Sequence, residues 1–206
     1  MIRPNSSVSG SPTSLPVTAV SRHAASVPDG VRHVVADLTD PAGLEPALSG
    51  AKALYLLLPG GFASNALWWV ESVRAQQVVA APFGDTEVPI IDPADIAEVA
   101  AACLLDDRHT GGVYELTGPE VITPRQQTEA IAAALGSPVR FHELTREEAK
   151  AGMTQSMPGE LADDTLDILG SPSPAELRVS PDVQRVLGRA PRPFADWAAR
   201  NIAAFR

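Results

Sequence analysis

The chain has one cysteine, two lysines and two tyrosines among its 206 residues. A single cysteine, Cys103, excludes an internal disulfide, and the apolar helical pattern around it reads as core packing; the expectation is a reducing cytoplasm. Lysine is confined to Lys52 and Lys150, and the net charge is −9. That leaves no basic cluster of the kind that nucleic acid or an anionic membrane surface requires. No apolar run reaches the roughly 18 residues of a membrane span. Residues 1–15 are rich in Ser and Pro and lack the apolar stretch of a secretory signal, so they are expected to be disordered. Fifteen glycines are present, yet none form a G-x-G-x-x-G or G-x-x-G-x-x-G trio. Four residues after Tyr55 stands Pro59, and four after Tyr114 stands Gly118, so Tyr-x-x-x-Lys is absent. His23, His33, His109 and His142 show no H-x-x-x-H or H-x-H spacing, so no metal site is expected. No serine lies in the G-x-S-x-G context of a nucleophile elbow.

What is present reads as α/β. Val17–Arg22 and Val31–Leu38 are short strands, the first ending on a basic residue and the second just past Asp37. Asp40 and Pro41 open a short helix with Leu44, Ala47 and Leu48 on its apolar stripe. Ala53–Leu58 is almost wholly apolar, as a strand covered on both faces would be. After the Pro59-Gly60-Gly61 break, Phe62 to Val79 reads as loop, then amphipathic helix. Val88–Ile91 and Val113–Thr117 read as strands. Between them Asp92-Pro93-Ala94-Asp95 starts a helix carrying Ile96, Val99, Ala100, Cys103 and Leu104 at helical spacing. Thr123-Pro124-Arg125-Gln126 and Thr145-Arg146-Glu147-Glu148 are capping boxes, with a strand from Val139 to Leu144 between them. Ser180-Pro181 opens a short helix closing at Gly188. Phe194, Trp197, Ala198, Ile202 and Phe205 give the last helix its buried face.

Several of these segments resemble the NmrA-like branch of the atypical short-chain dehydrogenase/reductases. Ala19-Val20-Ser21-Arg22 resembles the end of that family's second strand. Ala36-Asp37-Leu38-Thr39-Asp40 resembles the segment that meets adenine, and Leu56-Leu57-Leu58-Pro59 the fourth strand and its turn. Pro59 to Asn65 resembles a later loop, after the sixth strand, and Trp68 to Arg206 the C-terminal substrate-binding part. The resemblance implies an incomplete Rossmann-like parallel sheet. The first strand with its glycine-rich turn, and the fifth and sixth strands, are read as missing. Residues 16–60 would be a partial NAD(P)-binding segment and 61–206 a smaller α/β substrate-binding part. Strands left without their neighbours would expose apolar edges, which points to self-association.

The resemblance implies NADP or NAD as cofactor, a small-molecule substrate, and hydride transfer to a carbonyl, quinone or imine. Ser21, Arg22, Asp37, Leu38, Leu57, Leu58 and Pro59 would line the cofactor, with Arg22 on a 2′-phosphate. Phe62, Asn65 and Trp68 would wall the substrate. The residues also allow plainer roles: Arg22 in solvent, Asp37 as a turn cap, the tryptophans as core and Asn65 as a helix cap. No catalytic residue is assigned, because the tyrosine–lysine pair is absent. The alternative is a non-catalytic remnant that serves as an interaction module or an NADP(H) sensor.

Overall fold

The computed structural model describes residues 16–21, 24, 26–37, 40–51 and 61–206. The apolar run Ala53–Leu58, and with it Leu57, Leu58 and Pro59, lies outside the described residues, as do Arg22, Leu38 and residues 1–15. The chain divides into two compact units, Met1–Leu54 and Tyr55–Arg206.

In the first unit β1 (Val17–Ser21) and β2 (Val31–Val35) pair in parallel, with Val17 opposite Val31 and Ser21 opposite Val35. Helix α1 (Pro41–Leu48) follows. The Asp40 carboxylate caps it by accepting from the Ala42 N–H at 3.1 Å, and Pro41 sits where a missing N–H costs nothing.

The second unit is mostly helical. A 3-10 segment, Ala63–Trp69, runs into α2 (Val70–Gln76); Gln77, at φ 54, then turns the chain directly into β3 (Val78–Ala81). The short β4 (Val88–Pro89) precedes α3 (Pro93–Leu105). Beyond β5 (Val121–Ile122) come α4 (Pro124–Leu135), β6 (Arg140–Glu143), α5 (Arg146–Met153) and α6 (Gly159–Gly170). Last come α7 (Asp182–Leu187), α8 (Phe194–Asn201) and a 3-10 segment, Ile202–Phe205. Strand β3 pairs in parallel with β6, and β4 antiparallel with β5. Both capping boxes form, each with the threonine hydroxyl on the third N–H and the Gln126 or Glu148 side chain reaching back.

The core gathers Ala63, Ala66, Val73, Val79 and Ile131 with Phe194, Trp197, Ala198 and Phe205. The larger aliphatic and phenyl side chains among them contribute about 1.5–3 kcal/mol each when fully buried. A satellite cluster of Ile91, Ile96 and Val183, flanked by Phe62, Leu116 and Leu187, ties α3 to α7.

Four elements depart from the sequence reading. Val78–Ala81 is a strand, not the end of a helix, because Gln77 in a left-handed conformation stops α2. Of Val88–Ile91 only the first two residues pair with β5, and Ile91 instead bridges to Phe62. Val113–Thr117 forms no strand: the Glu115 N–H donates to the Asp182 carboxylate at 3.0 Å, and the Ser180 N–H donates to the Thr117 hydroxyl at 2.9 Å. Helix α6 is not among the sequence expectations; Ala162 and Leu166, four residues apart, are fully buried on it.

Candidate functional site

In an α/β sheet, ligands bind at the carboxyl ends of parallel strands. In the first unit that end is formed by Ser21 and by Ala36 and Asp37. The Ala36 N–H donates to the Ser21 carbonyl at 3.1 Å, carrying the ladder one residue past the strands. The Ser21 hydroxyl lies 2.8 Å from His33 Nε2. Asp37 is exposed, and its carbonyl accepts from the Asp40 N–H at 3.1 Å. The helix cap is Asp40, three residues further on. Arg22, the residue proposed for a 2′-phosphate, lies outside the described residues.

In the second unit the same end belongs to β3 and β6. Helix α2 folds back along β3, and the N-terminus of α4 reaches the β3 end, where Arg125 N–H donates to the Gly84 carbonyl at 3.3 Å. The loop after β3 holds Phe83 at φ 55. A left-handed aromatic residue is a costly conformation that functional sites often retain. Gly170, at the end of α6, makes room for its ring: a Cβ there would lie 2.8 Å from the ring.

The segment Phe62–Trp69 shows why its residues segregate. A 3-10 helix has three residues per turn, so positions three apart share a face. Ala63, Ala66 and Trp69 form one row and pack into the core. Phe62, Asn65 and Trp68 form the next row. Phe62 is half-buried on the satellite cluster, whereas Trp68 is 75% exposed. Trp68 is therefore not a core residue. Asn65 is not a cap either, because it lies within the segment, its N–H donating to the Phe62 carbonyl at 3.0 Å. The three-residue period, readable in Phe62/Asn65/Trp68 against Ala63/Ala66/Trp69, is the signal that a 3.6-residue reading passes over.

Two devices fix this row. Ile91 exchanges backbone hydrogen bonds with the Gly61–Ala63 stretch at 2.9 Å each. Helix α3 is then clamped to the chain after α7. Asp95, fully buried, accepts from Arg189 at 2.7 Å, from the Arg192 N–H at 2.7 Å and from the Arg192 guanidinium. Glu98 accepts from Arg189 Nη2, the nitrogen that also bonds Asp95, at 2.5 Å and from Arg192 Nη2 at 2.6 Å, and Asp92 pairs with Arg200. Hydrogen bonds from Arg189 first, then Arg192, hold the Glu98 carboxyl below the usual range. A group lowered in the folded state stabilises it above its unfolded value, roughly 4.3 for glutamate, and loses that contribution as pH falls through the folded value. Thermal melts from pH 6 down to pH 3 should thus show a smaller acid loss in Glu98→Gln than in the native chain.

Tyr114 is committed elsewhere: its hydroxyl lies 2.7 Å from His109 Nδ1, with the two rings edge to face. Among the described residues no group of three His, Cys, Asp or Glu side chains could hold a metal, and no helix is long and apolar enough to cross a membrane.

No protein-family model matches the chain. It is 39% identical, over 71% of its length, to a (4-alkanoyl-5-oxo-2,5-dihydrofuran-3-yl)methyl phosphate reductase of Streptomyces griseus. It is 36% identical, again over 71%, to an NAD(P)H azoreductase of Xenophilus azovorans. The chain spans about half of these relatives, 52% of each. Among solved structures, an NADPH-dependent quinone oxidoreductase of Escherichia coli superposes with a TM-score of 0.66 at 19% identity, covering 91% of both chains. A Citrobacter triphenylmethane reductase complexed with NADP(H) gives 0.55 at 20% identity, over 78% of this chain and 57% of that one. The chain has the fold of these reductases. It is α/β, with small parallel sheets and Rossmann-like neighbours.

Ser21 and the exposed Asp37 stand at the paired carboxyl ends of β1 and β2. The sequence has no glycine-rich turn for the pyrophosphate.

Proposed function

We propose that this chain is an NAD(P)H-binding, oxidoreductase-type protein of the NmrA-like group of atypical short-chain dehydrogenases. In this reading residues 16–60 carry the adenosine end of the cofactor and residues 61–206 the substrate side. The observation that carries it is the 39% identity to a named reductase and the 36% identity to a named NAD(P)H azoreductase. When bound, the nicotinamide supplies a hydride; the chain's own residues bind and orient. Ser21, Arg22, Asp37 and Leu38 line the adenosine, and Leu57, Leu58 and Pro59 lie against the cofactor. Phe62, Asn65 and Trp68 present a flat aromatic and amide row to a small electron-poor acceptor, a carbonyl, quinone or imine. No proton transfer is assigned, since Tyr-x-x-x-Lys is absent and Tyr114 is bonded to His109.

That absence also favours a second reading, in which NADP(H) is bound without turnover, as in a sensor. Titration of NADPH fluorescence tests what the two share. Saturable binding is expected, weakened about tenfold, or ~1.4 kcal/mol, by Arg22→Ala. NADPH oxidation in the presence of a quinone then separates them, being expected under the first reading and not under the second.

A further inference from the structure

A surface helix normally turns a polar face outward. Helix α3 does not. Ala97 and Ala101 stand two residues either side of the fully buried Val99, about 200° round the helix from it, and both are exposed. Leu104 and Leu105 extend the same outward face, Leu105 being 68% exposed. The charged side chains of the helix are Asp95 and Glu98. Asp95 is buried. Glu98, at the flank, meets the same two guanidinium groups as Asp95, so two carboxylates are matched by Arg189 and Arg192. The outward face therefore presents methyl and isobutyl groups and no net charge.

Charge and shape together say what covers it. The chain carries −9, and a second copy brings the same charge, so two copies approach best where neither presents it. The α3 face meets that condition. The exposed apolar stripe of α6, Leu161 and Ile168, does not, because the exposed Asp164 lies between them and would oppose its own counterpart. The α3 face is also complementary to itself. In an antiparallel pair centred on Ala101, that residue meets its own counterpart on the two-fold axis. Ala97 and Leu105, four residues to either side, then meet Leu105 and Ala97 of the copy. Large faces small at both ends, small faces small at the centre, and the helix axes can close to the lower end of the usual 8–10 Å. The two helix dipoles run in opposition, which also favours the antiparallel pair.

We propose that α3 is the contact of a two-fold homodimer, with Leu105 of each copy seated over Ala97 of the other. Thirteen residues make a helix of about 20 Å. One pair of that length buries less than the roughly 1,600 Å² of a standard interface, so the dimer is a reversible one. This goes beyond the reductase reading and does not depend on it, since the face is complete within α3 and no cofactor is required. The strand edges named from the sequence play no part in it.

Sedimentation equilibrium of the full chain between about 10 µM and 1 mM tests the proposal. A reversible monomer–dimer equilibrium is expected, weakened at least about tenfold by Leu105→Glu and unchanged by Ile168→Glu. Both side chains are mostly exposed, so both variants should melt like the native chain. A second measurement needs no charge reversal. With Cys103→Ser as background, a short bismaleimide should link Ala101→Cys to its counterpart and leave Val113→Cys, exposed but away from α3, unlinked. A monomer at every concentration would overturn the proposal, since α3 would then be bare or covered by its own chain. So would a dimer indifferent to Leu105→Glu, a dimer lost equally with Ile168→Glu, or no linkage at position 101.

Discussion

Asp95→Ala is expected to lower the melting temperature by roughly 4–12 °C. Asp95 is fully buried in the first turn of α3 and receives three hydrogen bonds from a segment nearly a hundred residues away. Removing one member of a buried charged network costs about 3–5 kcal/mol when its partner is left uncompensated. Here the two guanidinium groups keep Glu98 and are 34% and 27% exposed, which moderates the loss. The Arg192 N–H has no such second partner in the clamp. About 2–3 kcal/mol remains, and each kcal/mol shifts the midpoint of a chain this size by about 2–4 °C. Asp95→Asn should fall between, because its amide oxygen still accepts. Melting followed by circular dichroism gives the answer; a midpoint within about 1 °C of the native one would show that Glu98 alone holds the clamp.

Gly118→Ala is expected to be as damaging for a different reason. A Cβ at Gly118 would stand 2.2 Å from the Ile90 carbonyl oxygen. That neighbour is backbone, so no side chain can swing aside, and either the 113–118 stretch or the Ile90–Ile91 stretch must move. Overpacking of this sort costs about 1–3 kcal/mol or more. The consequence reaches the candidate site, because Ile91 holds the Gly61–Ala63 stretch. Hydrogen exchange should therefore quicken at the Ala63 and Ile91 amides. Gly152→Ala gives the opposite sign: it lies in α5 with nothing within 4 Å of an added Cβ. Alanine there should stabilise by about 0.5–1 kcal/mol. If Gly118→Ala melted like the native chain with unchanged exchange, the packing described at Ile90 would be wrong.

What the sequence made legible was local. Asp40, Asp92, Thr123 and Thr145 all cap helices as their spacing indicates, because a cap needs only the next three residues. Features that depend on distant partners were not legible. The arginine clamp joins Asp95 to Arg189 and Arg192, and neither arginine differs in sequence from a solvated one. Val113–Thr117 has the composition of a strand, but Asp182 and Ser180 supply its partners from side chain and loop. Of the proposed site residues, Phe62, Asn65 and Trp68 come together on one face, through a three-residue period. Ser21 and Asp37 fall at the shared end of two parallel strands. Phe83 gave no signal beyond its place between Pro82 and Gly84; its left-handed backbone is a product of the loop that seats α4 on the end of β3.

We propose that the chain binds a nicotinamide dinucleotide phosphate by its adenosine end. NADPH titrated into the full chain tests it most directly, with adenosine 2′-monophosphate as competitor and Arg22→Ala alongside. The account predicts saturable binding, displacement by the 2′-phosphorylated nucleotide, and about a tenfold loss in the variant. No saturable binding at millimolar NADPH, or binding indifferent to both the competitor and Arg22, would contradict it.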